Sequence, residues 1–296
     1  MKTKEHIETS AVARFFSASV FKELSKSGRS PLLARLIRES GLPVDALACE
    51  RVGDLFERAF QHLRLKSNRH EYVYKSAITH KVLLGTHSLN TASMVTEFRV
   101  GSCKADVVIL NGTGTVYEIK SERDTLSRLS DQVDAYRTVF ASVNVIVGEN
   151  HAEEALSKTP EDVGIMLLCP RHRISTLREA RDLPQRTSSG AIFDSINLTE
   201  AQQILSSAGI DAPDVPNTMR YTALRELFVQ LPSEYAHREM VRTLKRTRNL
   251  QPLQSLLDDI PPSLYSISLT SRLRQKDHGR LVAALQAPAV DALGWG

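Results

Sequence analysis

Apolar residues recur at three- and four-residue spacing in LLARLIRES and DLFERAFQHLRLK, which predicts helical structure over residues 1 to about 66. The first of these runs is punctuated at both ends. Ser30 is placed to cap it, Pro31 occupies its first turn and Gly41 stands just past its last apolar position. Gly41 and Pro43 then separate it from the second run. EYVYKSAITHKVLLG continues the helical pattern, and the small polar residues of GTHSLNTASM read as the loop that follows. From Met94 the period changes. MVTEFRV, ADVVIL, TVYEIK, VNVIV and GIMLLC are short runs, mostly β-branched and apolar on both faces, as in a sheet covered on both sides. Between the third and fourth lies DTLSRLSDQVDAYRTVF, whose Leu126, Leu129, Val133, Tyr136 and Phe140 form one helical stripe.

Beyond Cys169 the pattern becomes irregular through RHRISTLREARDLPQRTSSG, and the Pro, Ser and Gly residues near 187 predict a linker. Helices resume in LTEAQQILSSAG, with Thr199 as the expected cap and Gly209 as the stop, then in YTALRELFVQL, EYAHREMVRTLKR and the stretch from Pro262 to Leu285. No periodic repeat is present. The expected organisation is an N-terminal helical segment (1–66), an α/β core with a mixed sheet (67–182) and a C-terminal helical domain (183–296).

Composition narrows the class. With 296 residues, 42% hydrophobic and 24% charged, the chain is neither disordered nor fibrous and has material for a sizeable core. Three cysteines, Cys49, Cys103 and Cys169, are too few and too dispersed for a disulfide framework or a paired zinc motif, so reduced thiols are expected. No run reaches the roughly 18 apolar residues of a membrane span. Lys2 and Lys4 precede a modestly apolar stretch, but Glu5, Glu8 and Arg14 break the pattern of a targeting peptide, and a cytoplasmic location is expected. A net charge of +4 and a pI near 9.0 are compatible with a polyanionic partner.

The chemistry concentrates in TEFRVGSCKADVVILNGTGTVYEIKSERDTLSRLSDQVDAY. Asn111-Gly112 between apolar runs signals a hairpin, which brings Asp106 beside Glu118 and Lys120. Glu118 and Lys120 share a face while Ile119 takes the other. Register decides whether Asp106 joins them. A two-residue turn would set Asp106 against Ile119, whereas a three-residue loop, Asn111 to Thr113, sets it against Glu118, and a five-residue loop against Lys120. A functional cluster therefore requires an odd-length or bulged turn. Two carboxylates and a lysine on one face suit magnesium-assisted phosphodiester hydrolysis, because Mg²⁺ takes oxygen ligands and completes its shell with water and phosphate. The ion polarises the phosphate, and the ammonium orients the attacking water or offsets developing charge.

This block resembles the core of the PD-(D/E)XK nuclease superfamily, the restriction-endonuclease-like fold, from Glu71 to Val147 and in its order αβββαβ. Asp106 matches the motif aspartate, and Glu118, Ile119 and Lys120 match the ExK triplet; Ala105 stands where the motif has proline. The resemblance implies a nuclease acting most readily on DNA, with Mg (or Mn) held by Asp106 and Glu118 and Lys120 assisting the water. It also implies a glutamate from the preceding helix, for which Glu71 is the candidate and Glu97 on the first strand the alternative. Gln132 and Tyr136 resemble the Q-x3-Y positions that support such sites, and Gln132 is expected to contact Lys120 or a ligand water. Similar nuclease-like proteins occur on bacterial mobile elements and in defence systems.

Arg128, one turn before Gln132, is a candidate phosphate contact, although Asp124 offers it an ordinary helical partner. Arg242, Lys245, Arg246 and Arg248, together with Arg171 and Arg173, are basic clusters suited to a nucleic-acid backbone. His80, His87, His151, His172, His237 and His278 are scattered, without zinc spacing. The chain has no G-x4-GK-[ST] loop, and GTGT lacks the dinucleotide pattern, so no nucleotide cofactor is expected. Expected partners are thus nucleic acid, no membrane, and with a homo-oligomer left open. Two other classes compete: a catalytically silent binding or interaction module, and a transcriptional regulator using the N-terminal helices. LLARLIRES is too apolar for a recognition helix.

Overall fold

The computed structural model describes residues 7–42, 50–271 and 273–296; Lys2, Lys4, Glu5, Pro43 and Cys49 lie outside the described residues. In chain order the main elements begin with four helices, α1 (Ala18–Ser27), α2 (Pro31–Ser40), α3 (Val52–Leu63) and α4 (Glu71–Ile78). Three strands follow, β1 (Ser93–Val100), β2 (Cys103–Asn111) and β3 (Thr113–Lys120). Next come α5 (Leu129–Arg137), β4 (Ser142–Val147), α6 (Ala152–Lys158), β5 (Gly164–Cys169) and β6 (Arg173–Arg178). Four helices, α7 (Ser189–Ser195), α8 (Leu198–Ser207), α9 (Asn217–Phe228) and α10 (Ser233–Thr247), precede the late helix α11 (Gln275–Gln286). The protein is of the α/β class, with a mixed six-stranded sheet and helices on either side of it in sequence.

The chain forms two compact units whose boundaries differ from the three expected segments. The first comprises residues 1–80, 170–172 and 251–296. Here α2 has the ends its sequence predicts: Ser30 Oγ accepts from the Leu33 N–H at 2.9 Å, and Gly41 takes the left-handed conformation, φ 64°. An aromatic group of Phe15, Phe16, Phe56, Phe60 and Tyr72 lies buried among the early helices. The late segment is bound to the early one by backbone. Val52 N–H donates to Ala287 O at 2.9 Å, and Ala289 N–H donates to Glu50 O at 3.2 Å. Gly53 packs where an added Cβ would lie 3.0 Å from Pro261 and 3.3 Å from Leu285 O, so a larger residue would push the two segments apart.

The second unit comprises residues 81–169 and 173–250. Its strands lie in sequence order, antiparallel from β1 to β3, parallel from β3 to β5, and antiparallel again for β5 and β6. Val108, Leu110 and Val116 of the sheet share one core with Leu129, Val133 and Tyr136 of α5 and with Ile204, Phe228 and Met240 of the later helices. Residues 189–250 therefore cover the sheet instead of forming a domain apart from it. Nor is the expected linker near 187 loose. The Arg186 guanidinium pairs with Asp162 and donates to Phe140 O and Ala141 O, and Ser188 N–H donates to Thr138 O at 2.7 Å. The irregular stretch also contains β6, an edge strand whose terminal arginines, Arg173 exposed and Arg178 partly buried, disguise its period. α8 is capped by Asn197, not Thr199: Asn197 Oδ1 accepts from Glu200 N–H, and the Glu200 carboxylate accepts from Asn197 N–H, a reciprocal capping box.

Candidate functional site

The β2–β3 hairpin has the register of the three-residue loop. Asn111 pairs with Thr113 around Gly112, whose φ of 71° supplies the tight turn, and the ladder runs back to Val107 opposite Tyr117. The next rung aligns Asp106 with Glu118. There the two strands stop exchanging backbone hydrogen bonds, and Asp106 Oδ2 accepts from Ile119 N–H at 2.7 Å. The carboxylate takes the place of a strand carbonyl, which satisfies an amide that would otherwise lose its partner. On the other side, β1 pairs Thr96 with Val107 and Phe98 with Ala105, so Glu97 stands across from Asp106. Glu97 has a φ of 55°, a left-handed backbone uncommon for a non-glycine residue in a strand. Its carboxylate and that of Asp106 have oxygens within 4.8 Å of each other, and Lys104 Nζ lies 3.5 Å from Glu97.

Glu118 is the buried hub, with 1% of its surface exposed. Its Oε1 accepts from Lys120 Nζ at 2.9 Å and from Gln132 Nε2 at 2.5 Å, and its Oε2 accepts from the Tyr136 hydroxyl at 2.9 Å. Lys120 also donates to Gln132 Oε1 at 2.8 Å. Gln132 and Tyr136 are four apart on α5, so one helical face reaches both oxygens. Burial pushes the Glu118 carboxyl above its ordinary range, opposed by the adjacent Lys120 charge and the three hydrogen bonds. Burial likewise raises the Tyr136 hydroxyl, reinforced by the charge of Glu118. Just past Lys120 the chain is pinned: Asp124 Oδ2 accepts from Ser121 N–H at 2.7 Å and from its hydroxyl at 2.6 Å.

Glu71 lies in the first turn of α4, in the other compact unit, and pairs with Lys75 at 2.5 Å. Arg128 is exposed at the N-cap of α5. Arg242 is exposed and 3.8 Å from Glu239, Arg246 donates to Gln203 at 2.8 Å, and Lys245 is half-buried. Arg248 is drawn inward by an ion pair with the buried Glu200, so it supports α8. His237 is buried and accepts from Ala141 N–H at 3.3 Å; burial drives it down to about 4. Among the described residues no group of three potential metal ligands includes a histidine or cysteine. Lys104 and Arg99 were not among the residues singled out from sequence, although the two-residue period from Asp106 and Glu97 leads directly to them.

The sequence model of the family described as "Bacteriophage P4 protein cII" matches residues 65–258. Protein cII of Enterobacteria phage P4 is 31% identical over 80 residues, which cover 26% of this chain and 30% of that relative. The matched stretch thus spans less than a third of the relative's length. No solved structure matches the chain.

Proposed function

The chain belongs to the Bacteriophage P4 protein cII family, and from that premise we propose that it is a metal-dependent nuclease resembling the PD-(D/E)XK enzymes, hydrolysing phosphodiester bonds in DNA. The observation that carries this reading is the hairpin register, which puts Asp106 on the rung of Glu118 while Lys120 and Gln132 are already bonded to that glutamate. The donors fit a hard cation, since Asp106 and Glu97 offer carboxylate oxygens within 4.8 Å of each other and the register adds the Glu118 carboxylate beside Asp106. Asp106 and Glu118 would hold Mg or Mn, with Glu97 as the adjacent acid. The ion supplies charge neutralisation at the phosphate and a more acidic water. Gln132 holds the Lys120 ammonium in place, so that Lys120 can orient the water and stabilise charge as it develops.

Asp106→Ala tests this reading. Cleavage of plasmid and single-stranded DNA with Mg²⁺ or Mn²⁺ should be abolished while DNA binding persists, because binding draws mainly on Lys and Arg. Lys120→Ala should slow cleavage about 10²- to 10³-fold, the usual cost of one electrostatic stabiliser. Wild-type protein that cuts no substrate with either metal would refute the proposal. A second reading, a silent binding module that retains the fold, is favoured by one observation: both Glu118 oxygens are already occupied by protein donors. That module would bind DNA or a protein partner with equal affinity whether Asp106 is intact or replaced.

A further inference from the structure

The β1–β2 hairpin carries charges in an arrangement that folding alone does not favour. Arg99 and Lys104 are paired directly across the two strands, so their side chains share a face and meet as like charges. Two residues further along each strand stand Glu97 and Asp106, again like charges facing one another. Phe98 and Val100 alternate with them and are buried, while Glu97, Arg99 and Lys104 are exposed. The face thus presents an acidic rung and, about 6.7 Å away at two strand residues, a basic rung. Lys104 leans back 3.5 Å from Glu97, but the Arg99 guanidinium has no ion pair among the described residues. Beyond the basic rung the hairpin turns at Gly101, where an added Cβ would meet nothing within 4 Å, so the approach is open.

We infer that the Arg99–Lys104 rung is a phosphate subsite, which seats the backbone phosphate next to the one presented at the acidic rung. This rests on the nuclease reading above and adds the substrate's path along β1 and β2 to it. A phosphate at the basic rung relieves the repulsion between Arg99 and Lys104. The two-residue strand spacing is of the order of one nucleotide step in an extended sugar–phosphate chain, so consecutive phosphates fall on the acidic and the basic rung. A substrate laid this way would draw Lys104 from Glu97 onto its phosphate. Recognition at the subsite is by charge and fork-shaped hydrogen bonding to phosphate oxygens, without regard to base.

The test uses the full chain and the variants Arg99→Gln and Lys104→Gln. Binding of a fluorescent single-stranded oligonucleotide and of a duplex would be followed by anisotropy in EDTA across a salt series, with Mn²⁺ binding and thermal unfolding measured in parallel. Each variant should lose about 0.7 from the logarithmic salt slope on single strands and about 0.9 on duplex. Arg99→Gln should leave Mn²⁺ affinity unchanged, Lys104→Gln should leave it equal or tighter, and neither should lower the melting temperature. Wild-type salt slopes in both variants, with DNA cleavage intact, would overturn the subsite and leave the nuclease standing. Melting temperatures lowered in step with binding would make the rung structural and also overturn it. Mn²⁺ binding by a wild-type protein that binds no DNA would overturn the subsite and the nuclease reading together.

Discussion

Replacing Lys120 with methionine removes a cation from beside a carboxylate that has almost no access to water. The Lys120 and Glu118 side chains are 11% and 2% exposed, and their atoms are 2.9 Å apart. Breaking a buried pair from one side typically costs about 3 to 5 kcal/mol, because the remaining charge is left in a poorly solvating site. Gln132 and Tyr136 still donate to Glu118 in this variant, so the loss should fall near the lower end, about 3 kcal/mol. Glu118→Gln alone should cost less, about 1 to 2 kcal/mol, since the longer lysine can turn its ammonium toward solvent. With both changes the amide keeps its Tyr136 partner and no charge remains buried. The double variant should therefore be more stable than the two single losses predict by about 2 to 3 kcal/mol. Urea unfolding in EDTA, followed by far-ultraviolet circular dichroism, measures each corner of the cycle. A coupling below about 0.5 kcal/mol, the usual level for independent sites, would show that the two groups do not form a desolvated pair.

Two further predictions address other parts of the second unit. Burial brings His237 down to about 4 in the folded protein against an ordinary 6.5, so between these pH values the folded imidazole is neutral, unfolding takes up a proton and stability falls as pH drops from 6.5 toward 4. At 1.36 kcal/mol per unit the full loss is about 3 kcal/mol, and His237→Gln should remove that part of the pH dependence in urea titrations. A wild-type pH profile retained in the variant would assign the slope to another group. Asp162→Ala should free the segment around Arg186, since Asp162 pairs with both Arg137 and Arg186. The expected result is faster limited proteolysis between residues 183 and 188 and about 2 to 3 kcal/mol of lost stability; cleavage at the wild-type rate would mean that backbone contacts alone hold the segment.

The sequence signals that proved readable are those set by local chemistry. Ser30, Pro31 and Gly41 act within one turn of their own helix, and the alternation of β2 and β3 with Asn111-Gly112 between them determines a hairpin without distant help. Even the odd loop length could be posed as a requirement, because only one parity brings Asp106 to the face of Glu118. What could not be read depends on partners far along the chain. The residues near 187 look like a linker because Pro, Ser and Gly dominate them, while the features that fix them, Asp162 and the carbonyls of Phe140 and Ala141, lie tens of residues earlier. Arg248 reads as one cation of a basic run until Glu200 is placed beside it. The apolar stripe on α8 gives no indication that Ile204 and Leu205 pack on the sheet core instead of on other helices.

The first unit draws its residues from both sides of the second, which has a consequence for synthesis. The helices α1 and α3 meet α11 only after residues 81–250 have been made. At about 5 to 20 residues per second, ribosomal elongation imposes a delay of roughly ten to thirty seconds on that meeting. Through that interval the apolar faces of the early helices are without their late partners, a period in which a chaperone would be of use. The sheet unit has its own sequence contiguous apart from residues 170–172, so it can begin to fold first. Its collapse then brings residue 81 and residue 250 within one folded body, and the long loop that separates the two halves of the first unit is shortened before they must find each other.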